Sequence, residues 1–159
     1  MNILLVYASK TGTTEKCAEI VSEKLENVTI VDLAHSDVNI ANYDLIIIGA
    51  SIRMGMMHGK VKKFIKNNME ILKTKKAAFY VCCGTVENTK QYFETNLPKE
   101  LLDNAIICDS FGGELDINKQ KGLDKFIVKM VTKNAGDKKE AKILPENIDR
   151  FVEEINKVK

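Results

Sequence analysis

Long apolar runs are missing from this sequence. Even the segment from Leu45 to Ile48 is short, and no stretch approaches the roughly 20 residues that a membrane-spanning helix needs. No basic segment precedes the apolar residues at the start, so we expect no secretory signal. An excess of one charge is also missing, because 24 lysines and arginines face 22 aspartates and glutamates. The formal net charge of +2 excludes a general polyanion binder, and we expect no nucleic-acid partner.

Cysteine is scarce as well, and its four positions do not fit a metal site. Cys17, Cys82, Cys83 and Cys108 follow no zinc-binding spacing, and the adjacent Cys82 and Cys83 cannot easily close a relaxed disulfide. We therefore predict no metal centre, reduced thiols and a cytoplasmic protein.

Lysines are concentrated in two segments, residues 60–76 and 119–142. Solvated helix faces are one interpretation of such clusters. The other is a docking face for an anionic partner, either a protein or a membrane surface that is contacted peripherally.

Strand and helix patterns alternate along the whole chain, whose 159 residues fit a single domain over 1–159. The predicted strands are 2–8, 28–33, 44–50, 76–82 and 105–111. The predicted helices are 13–26, 59–72, 88–103 (interrupted near Pro98), 118–132 and 146–158. Several strands are continuous apolar runs, which is typical of parallel strands that are covered on both faces. The pattern predicts an α/β sandwich around a parallel sheet, with ligand-binding loops at the carboxyl ends of the strands.

A hydroxyl-rich loop follows the first predicted strand and precedes a helix. It consists of Ser9, Lys10, Thr11, Gly12, Thr13 and Thr14. Unpaired backbone N–H groups and the positive end of the helix dipole favour an anion there, and hydroxyls add neutral donors. We predict a site for a phosphate monoester. The alternative is an ordinary strand-to-helix turn with a good N-cap.

The loop after the third strand combines glycines with methionines. Gly49, Gly55 and Gly59 can let the backbone approach a flat ligand, and Met54, Met56 and Met57 offer soft apolar surface to a planar ring. Met57 has the alternative of turning inward as core. Arg53 can place a positive charge near a ring that is reduced, or can be simply exposed. His58 is either a surface residue before a helix or a group for proton transfer.

Two further loops complete the predicted site. After the fourth strand, Cys83 and Thr85 flank Gly84 and can line the polar edge of a ring, whereas Cys82 is expected to pack in the core. After the fifth strand, Gly112 and Gly113 indicate a close backbone approach or a sharp turn.

Together these loops resemble the flavodoxin family. The segment Ser9–Thr14 looks like its FMN phosphate loop, and Gly49–Gly55 and Cys82–Thr85 occupy the places of its two ring-binding loops. The resemblance implies a five-stranded parallel sheet in the order 2-1-3-4-5 with helices on both faces. It also implies FMN, with the phosphate on Ser9 to Thr14. The ring is then expected at these residues: Ser51, Ile52, Arg53, Met54, Gly55, Cys83, Gly84 and Thr85.

Within the family, the segments Gly49–His58 and Phe111–Met130 are more similar to the subgroup that includes the flavodoxin-type protoporphyrinogen dehydrogenases. Two features differ from the patterns of relatives. The chain has no tryptophan and is slightly basic, unlike acidic electron-shuttle flavodoxins, and its segment 87–104 lacks arginine. We predict an FMN-dependent electron-transfer protein acting on a redox partner protein. The alternatives are a quinone-linked dehydrogenase of a porphyrinogen substrate and a non-redox domain that binds a phosphorylated ligand.

Overall fold

The computed structural model describes residues 1–113 and 142–159, so the helix predicted over 118–132 lies outside the described residues. The strands are β1 (Ile3–Ala8), β2 (Val28–Asp32), β3 (Leu45–Arg53), β4 (Met56–Met57), β5 (Lys76–Cys82) and β6 (Cys108–Ser110). The helices are α1 (Thr13–Glu23), α2 (Gly59–Asn67), α3 (Met69–Leu72), α4 (Thr89–Asn96), α5 (Lys99–Asn104) and α6 (Pro145–Asn156). A single 3-10 turn, Val86–Asn88, precedes α4.

The parallel strands form one sheet in the order β2-β1-β3-β5-β6. This order confirms the predicted 2-1-3-4-5, because β5 and β6 are the fourth and fifth strands of that prediction. Every residue of β1 is buried, as are the first six residues of β3. Strands covered on both faces have no solvent side, which explains why the sequence shows continuous apolar runs here instead of alternation.

Helices cover both faces of this sheet, as predicted. The buried residues of α1 and α6 pack on one face, against Ile3, Leu5 and Ile47. The buried residues of α2, α3, α4 and α5 pack on the other face, against Leu4 and Ile46. The ion pair between Arg150 and Asp109, with Nη2 and Oδ2 2.6 Å apart, also joins α6 to β6.

Several predicted boundaries are wrong, and each error has a local cause. The helix predicted over 59–72 is two helices, because the Asn68 side chain donates to the Phe64 carbonyl and its backbone leaves the helical conformation. The strand predicted over 44–50 continues to Arg53. Its apolar run ends at Ala50, but its backbone pairing with neighbouring strands extends further along the chain. The strand predicted over 105–111 is confined to β6. The interruption expected near Pro98 is present between α4 and α5.

Gly49, which was predicted to belong to the ligand loop after the third strand, lies within β3 and contributes to the core. A Cβ on Gly49 would lie 2.1 Å from Cζ of Tyr80, so only glycine leaves room for that ring. Tyr80 stacks on Phe111 with ring centroids 4.4 Å apart, and Phe151 meets both rings edge-on. Gly49 therefore contributes to packing beneath the site, which differs from the ligand approach expected for it.

Candidate functional site

The predicted loops leave the sheet side by side. Ala8, the last residue of β1, pairs with Ala50 of β3, and Ser51 of β3 pairs with Cys82 at the end of β5. The loops that begin at Ser9, after Arg53 and at Cys83 therefore share the carboxyl edge of the sheet. Parallel strands place the ligands of such folds at this edge.

The first loop leaves the N-terminus of α1 open. Gly12 is the N-cap with φ of 91°, a left-handed conformation that glycine adopts without steric cost, and no side chain caps the helix. Ser9 Oγ accepts the Gly12 N–H at 2.9 Å. Within residues 1–113 and 142–159, no acceptor contacts the backbone N–H groups of Thr13, Thr14 and Glu15. These donors and the helix dipole together favour an anion at this point.

Thr14 adds an unusual buried hydroxyl to this loop. Its side chain is fully buried, and Oγ1 has no hydrogen-bond partner among the residues described. The Cys82 thiol lies beside it, but the two groups do not meet in hydrogen-bonding geometry. A buried polar atom without a partner is costly, so its presence points to an acceptor that a ligand supplies.

Tyr80 supports the same residue from below, which the sequence did not indicate. Its hydroxyl donates to the backbone carbonyl of Thr14 at 3.1 Å. The stacked ring beneath Gly49 is thereby connected directly to the first turn of α1. No local pattern in the sequence relates these residues, because the contact joins elements that are 66 positions apart.

The loop after β3 is a β-hairpin. β4 pairs antiparallel with β3, with Arg53 opposite Met56, and the two residues between them are Met54 and Gly55. Their φ angles are 49° and 77°, so both central residues are left-handed, as in a type I′ turn. The flexible glycine-rich loop expected here is instead a regular turn. Met54 at its tip is 84% exposed.

The methionines of this hairpin have different environments. Met57 is buried in the core, which confirms the alternative considered for it. Met56 is 45% exposed, and Ser51, Ile52 and Arg53 are partly buried. Exposed apolar surface thus lies at the tip of the hairpin, next to the site.

Asn96 holds the hairpin in place, and the sequence did not reveal it. This last residue of α4 accepts the Met57 N–H at 2.9 Å and donates to the Gly55 carbonyl at 2.9 Å. Its amide also donates to the Tyr92 carbonyl at 2.8 Å. An asparagine near the end of a predicted helix reads as a capping residue, so nothing in the sequence connects it to a turn 41 residues earlier.

The third loop of the site, which follows β5, has one buried and two exposed residues among those predicted to contact the ring. The Cys83 side chain is buried, with Sγ 3.3 Å from Ser110 Oγ, and its N–H donates to the Gly112 carbonyl at 2.9 Å. Gly84 and Thr85 are exposed. Cys83 therefore presents backbone to the edge of the sheet, and its thiol faces inward.

The paired glycines after β6 form a close approach, as one of the two interpretations anticipated. Gly112 has φ of 72°, and a Cβ there would lie 2.1 Å from the Lys142 carbonyl oxygen. A Cβ on Gly113 would come within 3.2 Å of the Cys83 carbonyl oxygen. The segment packs directly against the third loop and helps to position it.

The thiols near the site are not activated. Interaction with Cys17 and burial raise the pKa of the Cys82 thiol, and burial raises the pKa of Cys83. Burial also raises the pKa of Cys108 to about 12. These three groups are neutral near pH 7, which argues against a cysteine nucleophile.

His58 is the N-cap of α2, and its Nδ1 accepts the Lys60 N–H at 3.2 Å. Burial lowers the pKa of His58, and the nearby Lys10 ammonium lowers it further, while Asp32 opposes the change. The neutral imidazole is thus favoured, with Nδ1 occupied by the cap. The interaction with Lys10 also shows that His58 lies near the first loop.

Metal and membrane features were searched over the described residues. No group of three or more histidine, cysteine, aspartate or glutamate side chains there is arranged to hold a metal ion. None of the helices in that part of the chain has the length and apolar character needed to span a membrane.

Comparison with known proteins gives a consistent result. A family model described as a flavodoxin domain matches residues 4–142. The protoporphyrinogen IX dehydrogenase (quinone) of Escherichia coli K12 is 27% identical in an alignment that covers 86% of this chain and 81% of that protein. The flavodoxin of Fusobacterium nucleatum, solved with flavin mononucleotide bound, is 14% identical with a TM-score of 0.55, over 99% of this chain and 98% of that chain.

A second solved structure has the same architecture. A short-chain flavodoxin associated with a non-canonical PDU bacterial microcompartment has a TM-score of 0.60 at 17% identity, over 99% of both chains. At these identities the structural likeness shows the fold alone.

Proposed function

The chain belongs to the flavodoxin family, and from that membership we propose an FMN-binding redox protein that transfers electrons through the flavin. The observation that carries this proposal is the open N-terminus of α1, where three backbone N–H groups and the buried Thr14 hydroxyl lack acceptors within the described segments. A phosphate group supplies acceptors for several donors at once, and its charge suits the helix dipole. The residues present therefore fit the phosphate end of FMN.

The phosphate is held by Ser9, Thr11, Gly12, Thr13 and Thr14, with Lys10 contributing backbone. Gly12 has open space around the position of a Cβ, so the loop can close on an anion. Bound FMN supplies the electron chemistry, and the protein sets its position, potential and access to partners.

The ring lies between the hairpin and the third loop. Ser51, Ile52, Arg53, Met54 and Gly55 border one side of it. Cys83, Gly84 and Thr85 border the other, with Cys83 acting through its backbone because its thiol faces inward. The Arg53 guanidinium favours the reduced, more negative flavin. We assign no acid or base, since His58 uses Nδ1 as a helix cap.

Dehydrogenation of a porphyrinogen with a quinone as acceptor is the second candidate. It is favoured by the similarity to the E. coli protoporphyrinogen IX dehydrogenase over 86% of this chain. An anaerobic assay with protoporphyrinogen and a soluble quinone distinguishes the two candidates, because turnover supports the enzyme and its absence supports the electron carrier. In either case the cytoplasm is the proposed setting, supported by four free cysteines. Peripheral contact with a membrane through lysines is a further proposal that either function allows.

An absorbance spectrum of the purified protein tests the main proposal. We expect flavin bands and release of FMN on denaturation. Replacing Thr11 and Thr13 together by alanine should weaken FMN binding by about 1–3 kcal/mol through lost hydrogen bonds to phosphate. Fluorescence titration of the apoprotein with FMN measures this change.

The matched control replaces Thr29 and Thr95, two exposed threonines outside the loop, by alanine. This double variant should bind FMN like the parent. A colourless protein that ignores added FMN contradicts the function, and equal affinities in both double variants contradict the placement of the phosphate.

A further inference from the structure

Helix α2 carries four lysines on its exposed face. Lys60, Lys62, Lys63 and Lys66 are exposed, whereas Val61, Phe64 and Ile65 are buried on the opposite side. The helix contains no aspartate or glutamate. Its outer surface is therefore cationic over its whole length.

Lysines on the other helices are arranged differently. Ion pairs with acidic residues are made by Lys24 with Asp149, Lys90 with Glu94, Lys99 with Asp103 and Lys157 with Glu154. In the described part of the chain, none of the four α2 lysines makes an ion pair. Ordinary solvated helix faces mix charges of both signs, so α2 departs from the pattern of its neighbours.

Three of the four lysines are also poorly placed for the stability of the helix, whereas Lys66 in the last turn is favourably placed. Lys60, Lys62 and Lys63 lie within the first turn and the residue after it, where the positive end of the helix dipole disfavours cations. A sequence that optimised helix stability would place acidic residues there. The three lysines near the start of α2 therefore gain nothing from the helix dipole.

Exposed methionines adjoin this cationic face on the side of the site. The hairpin tip bears Met54 and Met56, exposed by 84% and 45%, and only Met57 and His58 separate it from α2. Met54 also keeps a left-handed φ of 49°, which is unfavourable for a residue with a long side chain. The exposed Met54 side chain adds little to the described core, so it is available as contact surface at the edge of the site.

We propose that Met54, Met56, Lys60, Lys62, Lys63 and Lys66 form a docking surface for an acidic redox partner protein. The apolar part is small and the charge is concentrated, which suits the weak, electrostatically steered complexes that electron-transfer proteins form. Two methionines with four lysines give poor anchorage in a bilayer, so we favour a protein over a lipid surface. The inference rests on the proposed function for the electron transfer: one electron leaves the reduced partner and enters the flavin, and no bond forms or breaks.

Charge-neutralising variants test this surface. One variant replaces all four α2 lysines by glutamine, and its control replaces Lys24, Lys90, Lys99 and Lys157 by glutamine, which changes the net charge equally. The first probe is poly-L-glutamate, whose binding is measured by calorimetry and requires no flavin. We expect the α2 variant to lose about tenfold or more in affinity at low salt, and the control to stay within about twofold.

The second probe is a reduced plant-type [2Fe–2S] ferredoxin chosen for a strongly acidic surface, whose electron transfer to the FMN-loaded protein is followed by stopped flow. The α2 variant should be about tenfold slower, and added salt should slow the parent similarly. Replacing Met56, which is exposed and lies outside the residues proposed to border the ring, by serine should slow this reaction and leave poly-L-glutamate binding unchanged.

Three results overturn the proposal. They are equal losses in the two lysine variants, a ferredoxin rate independent of α2, and binding of the parent to phosphatidylglycerol vesicles with no affinity for poly-L-glutamate. A protein that takes up no FMN but still binds poly-L-glutamate through α2 refutes the proposed function and supports the acidic-partner surface.

Discussion

Two loops at the carboxyl edge of the sheet are held in opposite ways. The turn from Ser9 to Gly12 is closed by near neighbours, since Ser9 Oγ accepts the N–H of Gly12 three residues later and α1 begins at once, and Tyr80 adds distant support at Thr14. The hairpin tip at Met54 and Gly55 depends on Asn96, the last residue of α4, which lies 41 residues after Gly55 in the chain. The contact that closes the first turn is therefore local, whereas the side-chain contacts that hold the hairpin come from a distant helix.

This difference separates two properties of the site. The first loop provides donors whose positions follow from a strand, a glycine and a helix N-terminus, which supports the proposal that it binds the phosphate. The hairpin forms the outer edge of the site, and its side-chain support comes from Asn96 of α4. We therefore expect substitutions to separate anchoring of the cofactor from recognition of its partners.

Loss of the Asn96 side chain should produce the largest difference between the two loops. Asn96→Ala deletes the three hydrogen bonds to Met57, Gly55 and Tyr92, and we expect the free energy of unfolding to fall by about 2 kcal/mol. Urea denaturation measures the loss. Hydrogen exchange should accelerate at the Met57 amide and stay unchanged at the Gly12 amide.

Asn104→Ala is the matched control, because Asn104 ends α5 and has an exposed side chain with no hydrogen bond in the described residues. It should change stability little. Faster exchange at both Met57 and Gly12 in the Asn96 variant would show that the loops are not independent.

A substitution in the first loop can remove a hydrogen-bonding group for the ligand and keep the packing of the apoprotein. Thr14→Val replaces the unpartnered hydroxyl by a methyl group of similar shape, so the apoprotein should keep its stability or gain up to about 1 kcal/mol. Affinity for FMN should fall about tenfold, because one phosphate hydrogen bond is lost. Thermal unfolding of the apoprotein and fluorescence titration measure the two effects.

Thr14→Ser supplies the counterpart, since it keeps the hydroxyl and leaves a small cavity. It should bind FMN nearly as well as the parent with a less stable apoprotein. If valine destabilises the apoprotein as much as serine does, the Thr14 hydroxyl already has a partner and the phosphate interpretation of this residue is wrong.

The smallest effect is expected at His58, which lies between the two loops. Its folded-state pKa is lowered, so the unfolded chain takes up a proton first as the pH falls. The parent should therefore lose stability as the pH falls below about 6.5, the usual histidine pKa. Asn can cap a helix without titrating, so His58→Asn should remove this loss.

Urea denaturation of both proteins at about pH 7.5 and 5.5 measures the difference, and only the part of the pH dependence that the variant loses is assigned to His58. A pH dependence that is the same in the parent and the variant would show that His58 is not linked to folding.

Much of the molecule was predictable from particular residues. The apolar runs of β1 and β3 indicated parallel strands buried on both faces, and the hydroxyl-rich loop before α1 indicated an anion site. The hairpin was missed because type I′ turns usually carry Asn-Gly or Asp-Gly, and here methionine stands in the first position. Cys83 was predicted at the ring, but nothing in its neighbourhood showed that Ser110 draws the thiol inward.

The sequence by itself determined the order of the elements, the composition of the phosphate loop and the cationic character of α2, because these depend on residues that are close along the chain. Only the tertiary structure decided that Tyr80 supports Thr14, that Asn96 holds the hairpin, and that the α2 lysines have no acidic partner among the described residues. Those relations join residues whose separation in the chain carries no periodic or motif signal. They arise only when the sheet aligns its strand ends and the helices pack on it.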